Sequence, residues 1–314
     1  MPTLRPNPCA LLCAAPILVP STALAQDPST LPLLGDNDVH LYVQEAYEGF
    51  SPAITAAVAG RYGELVDAGM DTARHLFDWA DLEPEPGVYD TALVIEAMDA
   101  RAAVGIEHQF CNLVTVDSGG PVVPDFVAAL LDAGVPWDNP RISGPFADLL
   151  DVFVPLMLER DMFMIGFGNE PSGYFEDGAP AAPSYAPFVA QAIAHTRTLA
   201  PELTCTVVFA GATDAAIPSV MPLLDVVSFN TYFYEPVLVP SCIWFGAPIP
   251  LFLAQGPDIV GQRLDELIAA AGGRLICIQE IGQATGWGDM PQTLGPLASL
   301  ETQRQCFEAL QVEL

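Results

Sequence analysis

An α/β fold of the (β/α)8 TIM-barrel kind is what three features of this 314-residue sequence predict. Strand-like and helix-like segments alternate from Asp36 onward, the pattern of parallel crossover units. Two short apolar runs, at 162–168 and 274–281, lead to glutamates at their ends, Glu170 and Glu280. No low-complexity linker divides the chain, so 26–314 reads as one barrel domain, somewhat longer than the roughly 250 residues such a fold needs.

The elements follow in order. A first strand is expected over 39–44 and a helix over 52–68, which Gly69 ends. A second strand, 72–79, precedes a helix over 91–104, and Gly105 leads into a third strand, 106–114. Gly119, Gly120 and Pro121 mark a long loop, after which helical sequence runs to Arg160. The fourth strand is the run 162–168, whose unbroken apolarity suits burial on both faces of a parallel sheet. Pro171 cannot donate to a ladder, so that strand stops near it. A helix over 183–199, a strand over 203–209, a short helix over 215–222 and a strand over 226–232 come next. A helix over 257–271, a strand over 275–281 and a helix over 299–312 complete the series. That makes seven strand–helix units. The eighth is expected to be missing through C-terminal truncation, leaving two parallel edges unpaired.

Bulk properties narrow the function. The chain carries 39 acidic and 10 basic residues, a formal net charge of -29, and all the basic residues are arginine. Nucleic acid and anionic membranes both need a basic footprint and are excluded as partners. The absence of lysine excludes Schiff-base chemistry. Residues 1–25 have the form of a cleavable leader: Arg5, an apolar core over 9–20, and a small-x-small ending at Ala25. The core is too short to span a bilayer, so no stable membrane insertion is expected after cleavage, and the location is secreted or periplasmic. Cys111, Cys205, Cys242, Cys277 and Cys306 would remain, without metal-type spacing, and no disulfide can be assigned. His40-Leu41-Tyr42 is not a His-x-His metal pair, and neither a metal nor a cofactor is expected.

Glu170 and Glu280, 110 positions apart (280 − 170), each end a buried strand. In a parallel barrel that rim carries the chemistry. Two carboxyls facing one another across a cleft are the requirement for hydrolysing a glycosidic bond, one protonated and one ionised. The competing reading of Glu170 is a carboxylate that caps the following helix.

These residues resemble the retaining β-glycosidases of glycoside hydrolase clan A. Asn169-Glu170-Pro171 looks like that clan's strand-four motif, where the glutamate is the acid/base. Glu280 in Gln-Glu-Ile-Gly resembles the strand-seven nucleophile. Ala73-Arg74-His75, leading to Trp79 and on to Asp90, resembles the strand-two segment of several member families. Ser228-Phe229-Asn230-Thr231-Tyr232 resembles strand six, whose tyrosine approaches the nucleophile. The missing eighth strand departs from the clan, where it usually brings an aromatic platform; Trp287 could substitute.

The resemblance implies double displacement. Glu280 attacks the anomeric carbon while Glu170 protonates the leaving oxygen, then Glu170 activates water. Asn169 could bond the sugar 2-hydroxyl or cap a helix. Arg74 could hold Glu280 ionised or form an ordinary buried ion pair. Tyr232 could donate to Glu280 or be a plain core aromatic. His108, with Asn112 as rival, could bond a substrate hydroxyl or be a satisfied core histidine, and Trp79 and Trp287 could stack on a sugar face. His75 should point away from the site. The expected activity is a secreted glycoside hydrolase acting on a carbohydrate substrate, a poly- or oligosaccharide. The alternative is a catalytically silent carbohydrate-binding barrel.

Overall fold

The structure is a computed structural model. It describes residues 71–117, 120–176, 180–232, 234–244, 247–254 and 256–282, with short pieces at 17–19, 35–37, 66–67, 293–294, 305–306 and 309. Strands β1 (Ile17–Val19) and β2 (Gly35–Asn37) precede β3 (Thr72–Asp78), β4 (His108–Val114), β5 (Val116–Asp117) and β6 (Gly120–Pro121). Then come β7 (Met164–Asn169), β8 (Thr204–Phe209) and β9 (Val227–Tyr232). The series closes with β10 (Tyr234–Trp244), β11 (Ala247–Ala254), β12 (Ile276–Gly282) and β13 (Thr293–Leu294). The helices are α1 (Trp79–Leu82), α2 (Thr91–Ala103), α3 (Asp125–Asp132), α4 (Pro140–Leu158), α5 (Ser172–Glu176), α6 (Tyr185–Leu199), α7 (Ile217–Val220) and α8 (Ile259–Ala271).

Seven strands lie parallel in the order β2-β3-β4-β7-β8-β9-β12. Neighbours follow chain order without a reversal, which is barrel order and not the doubly wound order. The expected second to seventh strands agree with these to within two residues. The first differs: the described strand residues are 35–37, while 39–44 lies outside the described residues, as do most of 52–68 and 299–312. A second sheet, in the order β10-β11-β13, takes up the apolar, proline-bearing stretch 234–254: β10 and β11 pair antiparallel and β13 joins β11 in parallel. At the free edge of β12, β1 from the expected leader pairs antiparallel, Ile17 opposite Ile278. No helix among the described residues is long and apolar enough to cross a membrane.

The sheet is curled. Arg74 on β3 and Glu280 on β12 are five inter-strand steps apart along the sheet, about 24 Å if it were flat. Their side chains nevertheless meet at 2.7 Å. Asn112 on β4 likewise reaches Gln279 on β12 at 2.7 Å.

Inside this curl the side chains stack in layers, as strand alternation requires. Phe110, Met164, Val226 and Cys277 form an apolar plug toward the strand N-termini. Above it lies a polar layer, in which Asn112 donates to Gln279 and Gln279 donates to Ser228 Oγ at 2.8 Å. Thr206 meets the same Ser228 oxygen at 2.7 Å. Gly166 is glycine because a Cβ there would stand 2.0 Å from Asn112 Oδ1. The outward faces pack on the helices in one large apolar core that includes Phe146, Phe153, Phe167, Tyr185 and Phe188. Cys111, Cys205, Cys277 and Cys306 are buried. Burial pushes the Cys205 and Cys277 thiols up to about 12, so both behave as core residues.

Candidate active site

Two β-bulges aim the carboxylates. Between Gly166 and Asn169, β7 advances three residues while β8 advances two, from Thr206 to Val208. Between Ile278 and Glu280, β12 advances two residues while β9 advances one. A bulge adds a residue without a partner and shifts every later side chain to the other face. On β7, Phe167 faces the helix layer and a Cβ on Gly168 would strike Tyr185 Oη at 2.2 Å. Asn169 therefore turns inward. The Phe167 carbonyl freed by the bulge accepts from Thr115 Oγ1 at 2.6 Å and from Tyr185 Oη at 3.1 Å. Tyr185 stays protonated for this, since burial raises its phenol above the ordinary value.

Glu170 follows at φ 48, a left-handed conformation that non-glycine residues adopt at a cost of about 1–2 kcal/mol. Its backbone N–H donates to Val208 O at 2.8 Å, so the strained residue is still tied to the sheet.

These placements assemble one hydrogen-bonded chain across the rim. Arg74 Nη1 donates to Glu280 Oε1 at 2.7 Å, and the Tyr232 hydroxyl donates to Glu280 Oε2. Arg74 Nη2 donates to Asn169 Oδ1 at 3.3 Å. Asn230 Nδ2 is shared between Asn169 Oδ1 at 3.2 Å and Glu170 Oε1 at 2.8 Å. Among the contacts described, a guanidinium and a phenol face Glu280 and an amide faces Glu170. A cation with a second donor favours the ionised carboxylate at Glu280. Beside Glu170 opens a cleft of about 360 Å³, lined by the 210–213 loop, Asn230, Thr231 and Tyr232, with Arg263 and Glu266 of α8. Asp214 holds that loop by accepting from the Ala210 and Ala216 N–H groups at 2.9 and 2.8 Å.

Of the residues expected at the site, Glu170, Glu280, Asn169, Arg74 and Tyr232 come together. Three others do not, and these are corrections. Trp79 is fully buried against Phe146, and its indole N–H is held by Glu83 at 2.8 Å, so it offers no face to a sugar. His108 opens β4 at the opposite end of the barrel, edge-on to Phe163, with the apolar plug between it and the carboxylates. Asn112 is fully buried one layer beneath the rim, where it donates to Gln279. Trp287 lies outside the described residues. His75 points to the helix layer, where it bonds Gln109; burial and then Arg101 hold it below the usual histidine range, and it is neutral. Among the described residues no three His, Cys, Asp or Glu side chains are grouped to hold a metal.

Sequence reading assigns no role to Asn230, Asp117 or Asp78. An amide two residues before Tyr232, on the same strand face, was the available signal for Asn230, and a carboxylate just past the third strand was the signal for Asp117. Asp78 ends β3 at the same rim. Burial first, then the charges of Asp81 and Asp117, push its carboxyl up to about 7. An unfolded aspartate titrates at about 3.9, so the folded state holds the extra proton between these values. That contribution is full below about pH 4 and is lost as pH rises to about 7. Asp78→Asn should flatten this slope and add on the order of 2 kcal/mol at pH 8, roughly half the full linkage value because the carboxyl keeps some water contact. Urea unfolding at pH 5 and pH 8 reads both quantities; an unaltered slope would acquit Asp78.

No family model and no curated protein sequence matches the chain. Solved structures do. The exo-β-1,4-mannosidase Op5Man5 from Opitutaceae bacterium strain TAV5 superposes with a TM-score of 0.57 at 18% identity, covering 84% of this chain and 48% of that one. A β-glucosidase, 1317, gives 0.53 at 13% identity, covering 82% of this chain and 74% of that one. The AHE enzyme from Alicyclobacillus herbarius gives 0.52 at 16% identity, covering 81% and 73%. The chain therefore spans about half the length of the mannosidase. At these identities the likeness is one of fold: the parallel α/β barrel architecture is shared with known glycosidases.

Proposed function

We propose that this chain is a glycoside hydrolase that cleaves β-glycosidic bonds with retention, with Glu280 as nucleophile and Glu170 as acid/base. The observation that carries the reading is the unbroken hydrogen-bonded chain from Glu280 through Arg74, Asn169 and Asn230 to Glu170. In the first step an oxygen of Glu280, oriented by Arg74 and Tyr232, attacks the anomeric carbon. Glu170 gives its proton to the departing oxygen, and the cleft beside it has room for the leaving group. In the second step Glu170 takes a proton from water, which attacks the same carbon and frees Glu280. Retention requires the two carboxyls about 5 to 5.5 Å apart.

The substrate class is a poly- or oligosaccharide, met outside the cytoplasm if 1–25 is removed during export. Incubation with 2-deoxy-2-fluoro-β-glycosides bearing good leaving groups, followed by peptide mass analysis, tests the assignment. A covalent sugar on the peptide containing Glu280 is expected. Turnover of aryl β-glycosides with no label on Glu280 would refute the nucleophile, and no turnover with any β-glycoside would refute the activity.

A further inference from the structure

We propose that Asp117 is a positioning residue for this reaction, one that turns the Asn169 amide so that an N–H faces the sugar 2-hydroxyl. The inference rests on the glycosidase reading above. It begins from the way three groups surround one amide. Asn169 Oδ1 receives Arg74 Nη2 at 3.3 Å and Asn230 Nδ2 at 3.2 Å, while Asn169 Nδ2 donates to Asp117 Oδ1 at 2.8 Å. Turned over, the amide would set its NH2 against two donors and its oxygen against a carboxylate. One orientation satisfies every partner and the other satisfies none. Without Asp117 the oxygen would keep its two donors, but nothing described would hold the NH2 end in plane.

Asp117 is itself well fixed. It lies on β5 directly opposite Asn169 of β7, and it is paired on its other side with Gly120 of β6. The residue two before it, Thr115, is fastened to the β7 bulge through the Phe167 carbonyl. The amide plane is thus held from three sides. One N–H is spent on Asp117, and the direction of the second is set by that bond. Because the acceptor is a carboxylate, the bond is charge-assisted and polarises the amide toward further donation. A 2-hydroxyl bond that strengthens in the transition state is where such orientation acts on rate.

The test compares Asp117→Ala and Asp117→Asn with wild type on two substrates: the 4-nitrophenyl β-glycoside that wild type hydrolyses best, and its 2-deoxy counterpart. Asp117→Ala is expected to lose about 10- to 100-fold in kcat on the parent substrate, with KM little changed, and less than about threefold on the 2-deoxy one. Asp117→Asn, which still offers an oxygen to Asn169, should recover most of the loss. Equal losses on both substrates, or no loss on either, would overturn the proposal. The side-chain amide of Asn169, followed by 15N-edited NMR, gives a readout free of turnover. In wild type the amide proton bonded to Asp117 is expected downfield and protected from exchange with water, and in Asp117→Ala the same proton is expected to move upfield and exchange faster. Unchanged resonances overturn the proposal, whereas an inactive wild type whose amide still answers to Asp117 would sink the glycosidase reading alone.

Discussion

Glu280→Gln is expected to hydrolyse aryl β-glycosides at roughly a thousandth of the wild-type rate or less, a loss of at least about 4 kcal/mol of transition-state stabilisation. Glutamine preserves the shape and still offers an oxygen to Arg74 Nη1, so the fold should survive. What disappears is the negative charge that forms the covalent bond. In Glu280→Ala, where truncation leaves room, a small anion can take the carboxylate's place: added azide should restore turnover and yield the glycosyl azide of inverted configuration. Glu170→Ala should respond differently, with azide giving the azide of retained configuration, because it then attacks the intermediate on Glu280. Wild-type rates from Glu280→Gln, or rescued products of the opposite configurations, would reverse or remove the assigned roles.

Arg74→Leu is expected to lower stability by about 3 kcal/mol, toward the lower end of what breaking a buried ion pair costs. Arg74 is fully buried and its partner's side chain is 16% exposed. Leucine takes the Arg74 guanidinium away, puts apolar surface in its place and leaves the Tyr232 bond to the Glu280 carboxylate. Water can reach it only in part, which limits the penalty without removing it. Asn169 Oδ1 loses one of its two donors at the same time. The double substitution Arg74→Leu with Glu280→Leu should regain most of the loss, since replacing both members of a buried pair is often neutral or stabilising. Chemical denaturation of the three variants decides the matter. A single substitution as stable as wild type would mean that Glu280 is solvated well enough to need no partner.

Much of the framework is legible in the sequence because buried parallel strands have a simple signature. The strands at Thr204–Phe209 and Val227–Tyr232 are continuous β-rich runs with turn residues beside them, and their ends are found within a residue or so. The rim carboxylates are legible for a related reason: a charge that stops such a run sits where the strand leaves the sheet. Trp79 misleads because its neighbours in sequence are polar. Only the packed fold shows that a short helix turns it into the core with Glu83 to satisfy its N–H. His108 misleads because periodicity says which face a residue occupies, not which end of the barrel it is near. Asn112 has the right face but the wrong height. The partners of Asn169 could not be read at all, since Asp117 and Asn230 meet it from strands 52 and 61 positions away. The apolar stretch that pairs as β10 and β11 carries prolines at 236, 240, 248 and 250, which mask its strand character because proline cannot donate to a ladder.

The extra residue in each of β7 and β12 makes the site a matter of counting as well as of chemistry. Inserting one further residue between Gly166 and Asn169 would leave every polar group in place yet swing Asn169 toward the helices and pull Glu170 out of line. The same insertion beside Gln279 would do this to Glu280. Length changes that a surface turn absorbs without notice would silence this barrel from inside a strand. Any distant relative sharing its chemistry should therefore match it residue for residue across those two short intervals, however freely the rest has drifted.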